Sequence, residues 1–292
     1  MTIAAGFRCQ EDIILCTDNE FTYQTLKLPG QKIFPLNVPN REMNMAFAIA
    51  GTVNFARSAF QFIKRNILAL PSGTFDEISL QVFLEDQLCQ FHEKHIFKHP
   101  RYGYTDGPQV FFIVAAQFKN EQRLSLYSTD ETTVNPERSC CFSGVGAELA
   151  QYIVEPLVGV SPELLQPKHI LLLATHMLVQ VNKSVGSCGQ GSSFFRLGSK
   201  GEFRHEFNFP LPDVTEYSDT FQEVMRSFFF AAADLDMDDL HTKAAFRFTD
   251  FVIEKIRREQ KEERSRRIAL ARTLFGPSSA KKSNSQKSED QR

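Results

Sequence analysis

Met1-Thr2-Ile3-Ala4-Ala5-Gly6-Phe7-Arg8-Cys9 and Ile13-Ile14-Leu15-Cys16-Thr17-Asp18 open the chain as two short runs of strand composition, parted by the polar Gln10-Glu11-Asp12. The pattern predicts an antiparallel hairpin over residues 2–9 and 13–18. Pairing across that turn brings Asp18 back to the start of the first strand, beside Thr2. A third strand is expected at Lys32-Ile33-Phe34-Pro35-Leu36, after the turn signal Pro29-Gly30. A fourth, Ala46-Phe47-Ala48-Ile49-Ala50-Gly51, runs straight into a helix with Thr52 as its N-cap. Strand adjacency then gathers Thr2, Asp18 and Lys32.

These three residue types form a chemical unit. Loss of an initiator Met1, which a small neighbour such as threonine permits, leaves Thr2 with a hydroxyl and a free α-amine on one residue, a nucleophile carrying its own base. The amine has an ordinary pKa of about 7.7–8.0, so near neutral pH most of it is protonated and cannot accept a proton. Two like charges about 4 Å apart at an effective dielectric of about 20 repel by roughly 4 kcal/mol. A cation at Lys32 therefore holds the amine neutral, and Asp18 pairs with Lys32 and fixes its position.

The stretch Thr2-Ile3-Ala4-Ala5-Gly6, the acid Asp18, the Lys32-Ile33-Phe34 strand and the Ile49-Ala50-Gly51 turn before a helix resemble the proteasome β-type and HslV-like peptidases of the N-terminal nucleophile (Ntn) hydrolases. The resemblance implies an α+β fold, a four-layer αββα sandwich of two antiparallel sheets between helical layers. It also implies that Thr2 attacks, that Asp18 and Lys32 support it, and that a backbone N–H at Gly51 helps hold the oxyanion. Cys141-Phe142-Ser143-Gly144-Val145-Gly146-Ala147 is similar to the family's Gly-Ser-Gly turn, with Val145 where the serine is expected. Lys183-Ser184-Val185-Gly186-Ser187 is the nearest match to a later Asp and Ser-Gly-Gly segment, with Lys183 in place of the acid.

Composition limits the other classes. The 292 residues suit one core of about 200 residues with an appendage, and 42% hydrophobic content fills it. A net charge of −2 gives no general attraction to nucleic acid. Six cysteines with no export signal point to reduced thiols in a cytoplasmic protein, and the apolar run Ile170–Ala174 is too short to span a membrane. Helical periodicity is expected from Thr52 through Ile67, from about Phe75 to Ile96, from Ala147 to Leu157, and from a Ser161-Pro162 cap to Val181. Strands are expected at Val110–Phe118, Leu124–Ser128 and Ser139–Phe142. His95 and His99, at i,i+4, could share a helix face as metal ligands, but His92-Glu93-Lys94-His95 is one residue short of the zinc-peptidase motif and Pro100 ends the helix, so the three histidines read as a solvated helix end. Asp234, Asp236 and Asp238 begin like a calcium loop, but Asp239 and Ala245 hold its glycine and glutamate positions. Gly186, Gly189 and Gly191 lack the Lys-Ser/Thr of a phosphate loop and read as a strand connection. No cofactor and no metal are expected.

The division expected is an Ntn-hydrolase domain over 2–209, a helical extension over 210–275, charged at Glu254–Arg264, and a polar, disordered tail over 276–292. The leading reading is a threonine-type hydrolase acting on a peptide or protein substrate. Its alternatives are a non-catalytic proteasome-like assembly or binding module, which Val145, Lys183 and the long extension favour, and an acylase-like amide hydrolase. Self-association, as a ring, is implied by the resemblance alone. Ile268, Leu270, Leu274 and Phe275 are expected to dock on a neighbouring subunit or partner.

Overall fold

In the computed structural model, Ile3–Cys9 (β1) and Asp12–Asp18 (β2) pair antiparallel, from Ala4 opposite Thr17 to Cys9 opposite Asp12. Both strands are buried on both faces, which is why they read as near-continuous apolar runs. The structure describes residues 3–23, 26–104, 107–155, 165–186, 188–189, 191–209 and 222. All but Gln222 fall in the first of two units, Met1–Asp219. Thr2, Ser161-Pro162, Ser187, the Asp234–Asp238 run and the helices and tail expected after residue 209 lie outside the described residues.

The remaining strands are Glu20–Tyr23 (β3), Leu26–Pro29 (β4), Ile33–Val38 (β5), Met43–Gly51 (β6), Val110–Phe118 (β7), Arg123–Asp130 (β8), Thr133–Glu137 (β9), Cys140–Gly144 (β10), Ser192–Gly198 (β11) and Phe203–Phe209 (β12). One five-stranded sheet runs β10-β1-β2-β11-β12 and a second β5-β6-β7-β8-β9, with β3-β4 a separate ribbon. Among the described residues the fold is α+β with antiparallel sheets and helices.

Side-chain alternation decides what each sheet face meets. On β1 and β2, Ile3, Ala5, Phe7, Ile14 and Cys16 pack with Ala150, Val154, Ile170, Ala174 and Leu178 of the helices Ala147–Val154 (α3) and Pro167–Ser184 (α4). On β6, Met45, Phe47 and Ile49 meet Ala59, Phe60, Ile63, Leu84 and Leu88 of Val53–Ala69 (α1) and Glu77–Phe91 (α2). The opposite faces of the two sheets share a third core, which is rich in small side chains: Ala4, Ala46, Ala48, Ala50 and Ala115 among Ile13, Leu15 and Leu126. Small residues bring the sheets close. A methyl group on Gly6 would come within 2.7 Å of Ile113 Cγ2 and 2.8 Å of Leu126 Cδ1.

Several local expectations are corrected. Helix α2 ends at Phe91 and continues as a π-turn over His92–Ile96, which buries His92 against Phe91 and Phe97 instead of leaving it solvated. The helix expected to run to Val181 starts at Pro167, with Gln166 as N-cap, because a proline at N1 loses no intrahelical bond and the apolar periodicity begins only at Ile170. Strand β9 was not anticipated: its Pro136 breaks the strand pattern, and such a residue is tolerated because β9 is an edge. Thr52 holds the N-cap position of α1, but its hydroxyl accepts from Gln109 N–H and does not cap the helix. Among the described residues, no helix is long and apolar enough to cross a membrane and no cluster of side chains could hold a metal.

The close approach of the sheets yields a stability test. Gly6→Ala should lower unfolding stability by about 1–3 kcal/mol, since Ile113 and Leu126 must both move, measured as the urea midpoint at unchanged slope.

Candidate functional site

The β1-β2 hairpin ends with Asp18 beside the start of β1. Asp18 Oδ1 accepts the backbone N–H of Ile3 at 3.0 Å, and Oδ2 accepts both Lys32 Nζ at 2.8 Å and the backbone N–H of Gly189 at 2.8 Å. Asp18 is 0% and Lys32 1% exposed. Lys32 stands immediately before β5, and its carbonyl accepts Ile49 N–H of β6 at 3.0 Å. The pair therefore ties the first sheet to the second.

Burial pushes the Lys32 ammonium below the ordinary lysine range, and the Asp18 carboxylate opposes that shift by charge and by hydrogen bond. Glu20 and Cys188 add smaller contributions in the same direction as Asp18. Such a pair persists only where the remaining acceptor positions are filled, and Ile3 and Gly189 fill them here.

Gly189 was not singled out from the sequence as a site residue. A side chain there would place Cβ 2.2 Å from Glu20 Cβ and 2.8 Å from Asp18 Oδ2, so only glycine lets this backbone reach the carboxylate. The available signal was the run Gly189-Gln190-Gly191 just before β11, which pairs with β2 through Ser192 opposite Asp18.

Gly51 ends β6 at φ +91, a conformation open to glycine. An added Cβ would meet Gln109 O at 2.5 Å. Next to it, Thr52 N–H donates to Gln109 O at 2.7 Å and Gln109 N–H to Thr52 Oγ1 at 3.1 Å, fixing the turn from strand to helix. Gly51 lines an open cleft of about 1060 Å³ whose walls include Phe21, Arg57, Phe111, Gly144 and Val145. Gly144 is the β10 partner of Ile3. Ile3 thus joins the buried Asp18–Lys32 pair to the cleft wall.

The structure brings Asp18 and Lys32 into contact and puts Gly51 in the cleft wall; Thr2 lies outside the described residues. Val145 is half exposed in the cleft and offers an isopropyl group where the family resemblance led us to expect a hydroxyl. Lys183 and Ser184 close the last turn of α4.

No protein-family model matches the chain, and no curated protein matches it. Solved structures do. An Anbu (Gly-1) mutant from Hyphomicrobium sp. strain MC1 superposes with a TM-score of 0.66 at 13% identity, covering 82% of this chain and 100% of that one. Anbu (ancestral beta-subunit) from Yersinia bercovieri gives 0.64 at 12% identity over 80% of this chain and 97% of that one. The helical assembly of the Anbu complex from Pseudomonas aeruginosa gives 0.61 at 11% identity, over 77% and 95%. At these identities the likeness establishes the fold, which is that of the proteasome-like Anbu proteins. It also corrects the family: Anbu is distinct from the proteasome β-type and HslV-like subunits, and the assignment to those subunits does not stand.

The buried pair makes a testable demand. Lys32→Met leaves Asp18 charged without its cation and should cost about 3–5 kcal/mol of stability, whereas Asp18→Asn/Lys32→Met together should recover much of that loss. A double-mutant cycle in urea measures it, and additive losses would mean that the two residues do not act as a pair.

Proposed function

We propose that this chain is a threonine-type N-terminal nucleophile hydrolase of amide bonds, acting as a peptidase once removal of Met1 exposes Thr2. The observation that carries the reading is the Asp18 carboxylate, which accepts the Ile3 N–H at 3.0 Å and the Lys32 ammonium at 2.8 Å and so ties a buried ion pair to the residue that follows Thr2.

The reaction follows from that arrangement. Thr2 Oγ attacks the substrate carbonyl carbon while its proton passes to the α-amine of the same residue. The negative charge on the carbonyl oxygen is held by the Gly51 N–H, a donor of a kind often worth about 3–4 kcal/mol in the transition state. Collapse breaks the C–N bond, the leaving amine takes the proton from the Thr2 ammonium, and an ester remains on Oγ. Water then attacks the ester with the α-amine again as base, which frees the acid and restores Thr2. In this reading the buried Lys32 ammonium is the cation that lowers the amine's pKa, and Asp18 holds it in place.

We read the two sheets and their helices as a four-layer αββα sandwich over residues 2–209, with 210–275 a helical extension and 276–292 a tail. The chain self-associates in this reading, which the helical assembly of the Pseudomonas aeruginosa Anbu complex supports. Its C-terminal helices offer a docking surface for a neighbour, and its location is cytoplasmic. A second reading, a non-catalytic assembly module on the same fold, draws on Val145, which cannot relay a proton, and on Lys183.

Intact-mass analysis after treatment with a peptide epoxyketone separates the two. Wild-type chain should lack Met1 and carry one adduct at Thr2, and Thr2→Ala should carry none while unfolding at the same urea concentration. Retention of Met1, or equal labelling of Thr2→Ala, would favour the assembly module. The rising limb of labelling rate against pH should lie below the ~7.7–8.0 of a free α-amine, and Asp18→Asn/Lys32→Met should move it upward.

A further inference from the structure

Phe21 lies on β3, three residues after Asp18 and opposite Leu28 of β4. Its ring forms part of the cleft wall, and its centroid is 5.2 Å from Lys32 Nζ. Two features seat the ring. Gly30 leaves it room, since a Cβ there would fall 2.0 Å from a ring carbon. The Arg57 guanidinium of α1 lies over the same ring at 4.6 Å and donates through Nη2 to Gln31 O at 3.4 Å. Lys32 itself contributes nothing to the cleft surface and is 1% exposed, although the ring beside it faces the cleft.

We propose that Phe21 is a positioning residue, the cleft-side wall that keeps the Lys32 ammonium out of water and so lets its charge act on the N-terminal amine. The last step rests on the hydrolase reading; the exclusion of water does not. Charge–charge coupling falls in inverse proportion to the effective dielectric, so wetting the site from about 20 toward 80 weakens the hold of Lys32 on the amine up to about fourfold. The groups facing Lys32 are Asp18 on β2, Glu20 on β3 and Cys188 before β11, with Arg57 across the ring. Asp18, Glu20 and Cys188 favour the charged lysine, as does the face of the Phe21 ring, and burial is the largest influence and outweighs them. Removing the wall therefore raises the lysine value toward normal. For the amine the sign reverses: a more screened cation lets its pKa rise.

The test is a titration of the Lys32 13Cε resonance in the full chain, in wild type, Phe21→Ala, Phe21→Leu and Phe21→Tyr. The wild-type midpoint should lie below the ~10.4 of free lysine and move up by about one pH unit in Phe21→Ala. Phe21→Tyr, which keeps the ring, should hold the wild-type midpoint. Phe21→Leu should be intermediate, and it decides the matter if the alanine variant does not fold. An unmoved midpoint in both smaller variants overturns the proposal. In parallel, the rising limb of epoxyketone labelling at Thr2 should shift to higher pH in Phe21→Ala, about tenfold in rate at a pH on the limb. A uniformly lower rate with an unmoved limb reduces Phe21 to packing and overturns its positioning role. Wild-type chain that takes no adduct overturns the hydrolase reading, and the lysine titration then decides the wall alone.

Discussion

A carboxylate and an ammonium, both sealed from solvent, join two sheets at one point. Asp18 belongs to the first sheet and Lys32 to the edge of the second, and the 2.8 Å bond between them exists only if the sheets lie at the correct separation and offset. Desolvating both charges is costly and is offset only when every acceptor position is filled. The two backbone N–H groups that complete Asp18 come from the start of β1 and from the loop before β11. Four segments distant in sequence are thereby fixed relative to one carboxylate.

The spacing that permits this is set elsewhere, by small side chains. Ala4, Gly6, Ala46, Ala48, Ala50 and Ala115 face the inter-sheet core together with Ile113, while the phenylalanines Phe7, Phe47 and Phe112 of the same strands face the helices. Larger residues on the inner faces would part the sheets and pull Lys32 from Asp18. Core packing and site electrostatics are thus two consequences of one alternation. That alternation also places Ile3 toward α3 and α4, so its main chain alone is left to meet Asp18.

Much of this was legible in the sequence, and the boundary is physical. The hairpin, the Lys32 strand, the Gly51 turn and the apolar faces of α1 and α2 show as local period-two and helical patterns, which a window of residues contains whole. Gly189 was missed because its role depends on contact with Asp18, 171 residues away. The π-turn at His92–Ile96 was missed because its burial is decided by Phe91 and Phe97 packing around an imidazole whose own chemistry favours water. Strand β9 was missed because Pro136 is informative only once its edge position is known. The family was misjudged for a related reason: the motif around Thr2, Asp18, Lys32 and Gly51 is short, and it does not separate one proteasome-like group from another.

A fold can persist at 11–13% identity, with no family model matching the sequence, when it asks little of individual side chains. The site makes few demands on side chains. Asp18 accepts two main-chain donors, the turn at Gly51 is clamped by main-chain bonds and one hydroxyl, and the facing sides of the sheets are filled by apolar side chains, small and large together. Backbone donors keep their position through most substitutions, and cores accept many combinations of apolar residues at constant volume. A scaffold built on such terms accepts many substitutions. Val145 lies outside the ion-pair scaffold: its side chain lines the cleft and is half exposed there, and none of the bonds from Ile3, Lys32 and Gly189 to Asp18 involves it.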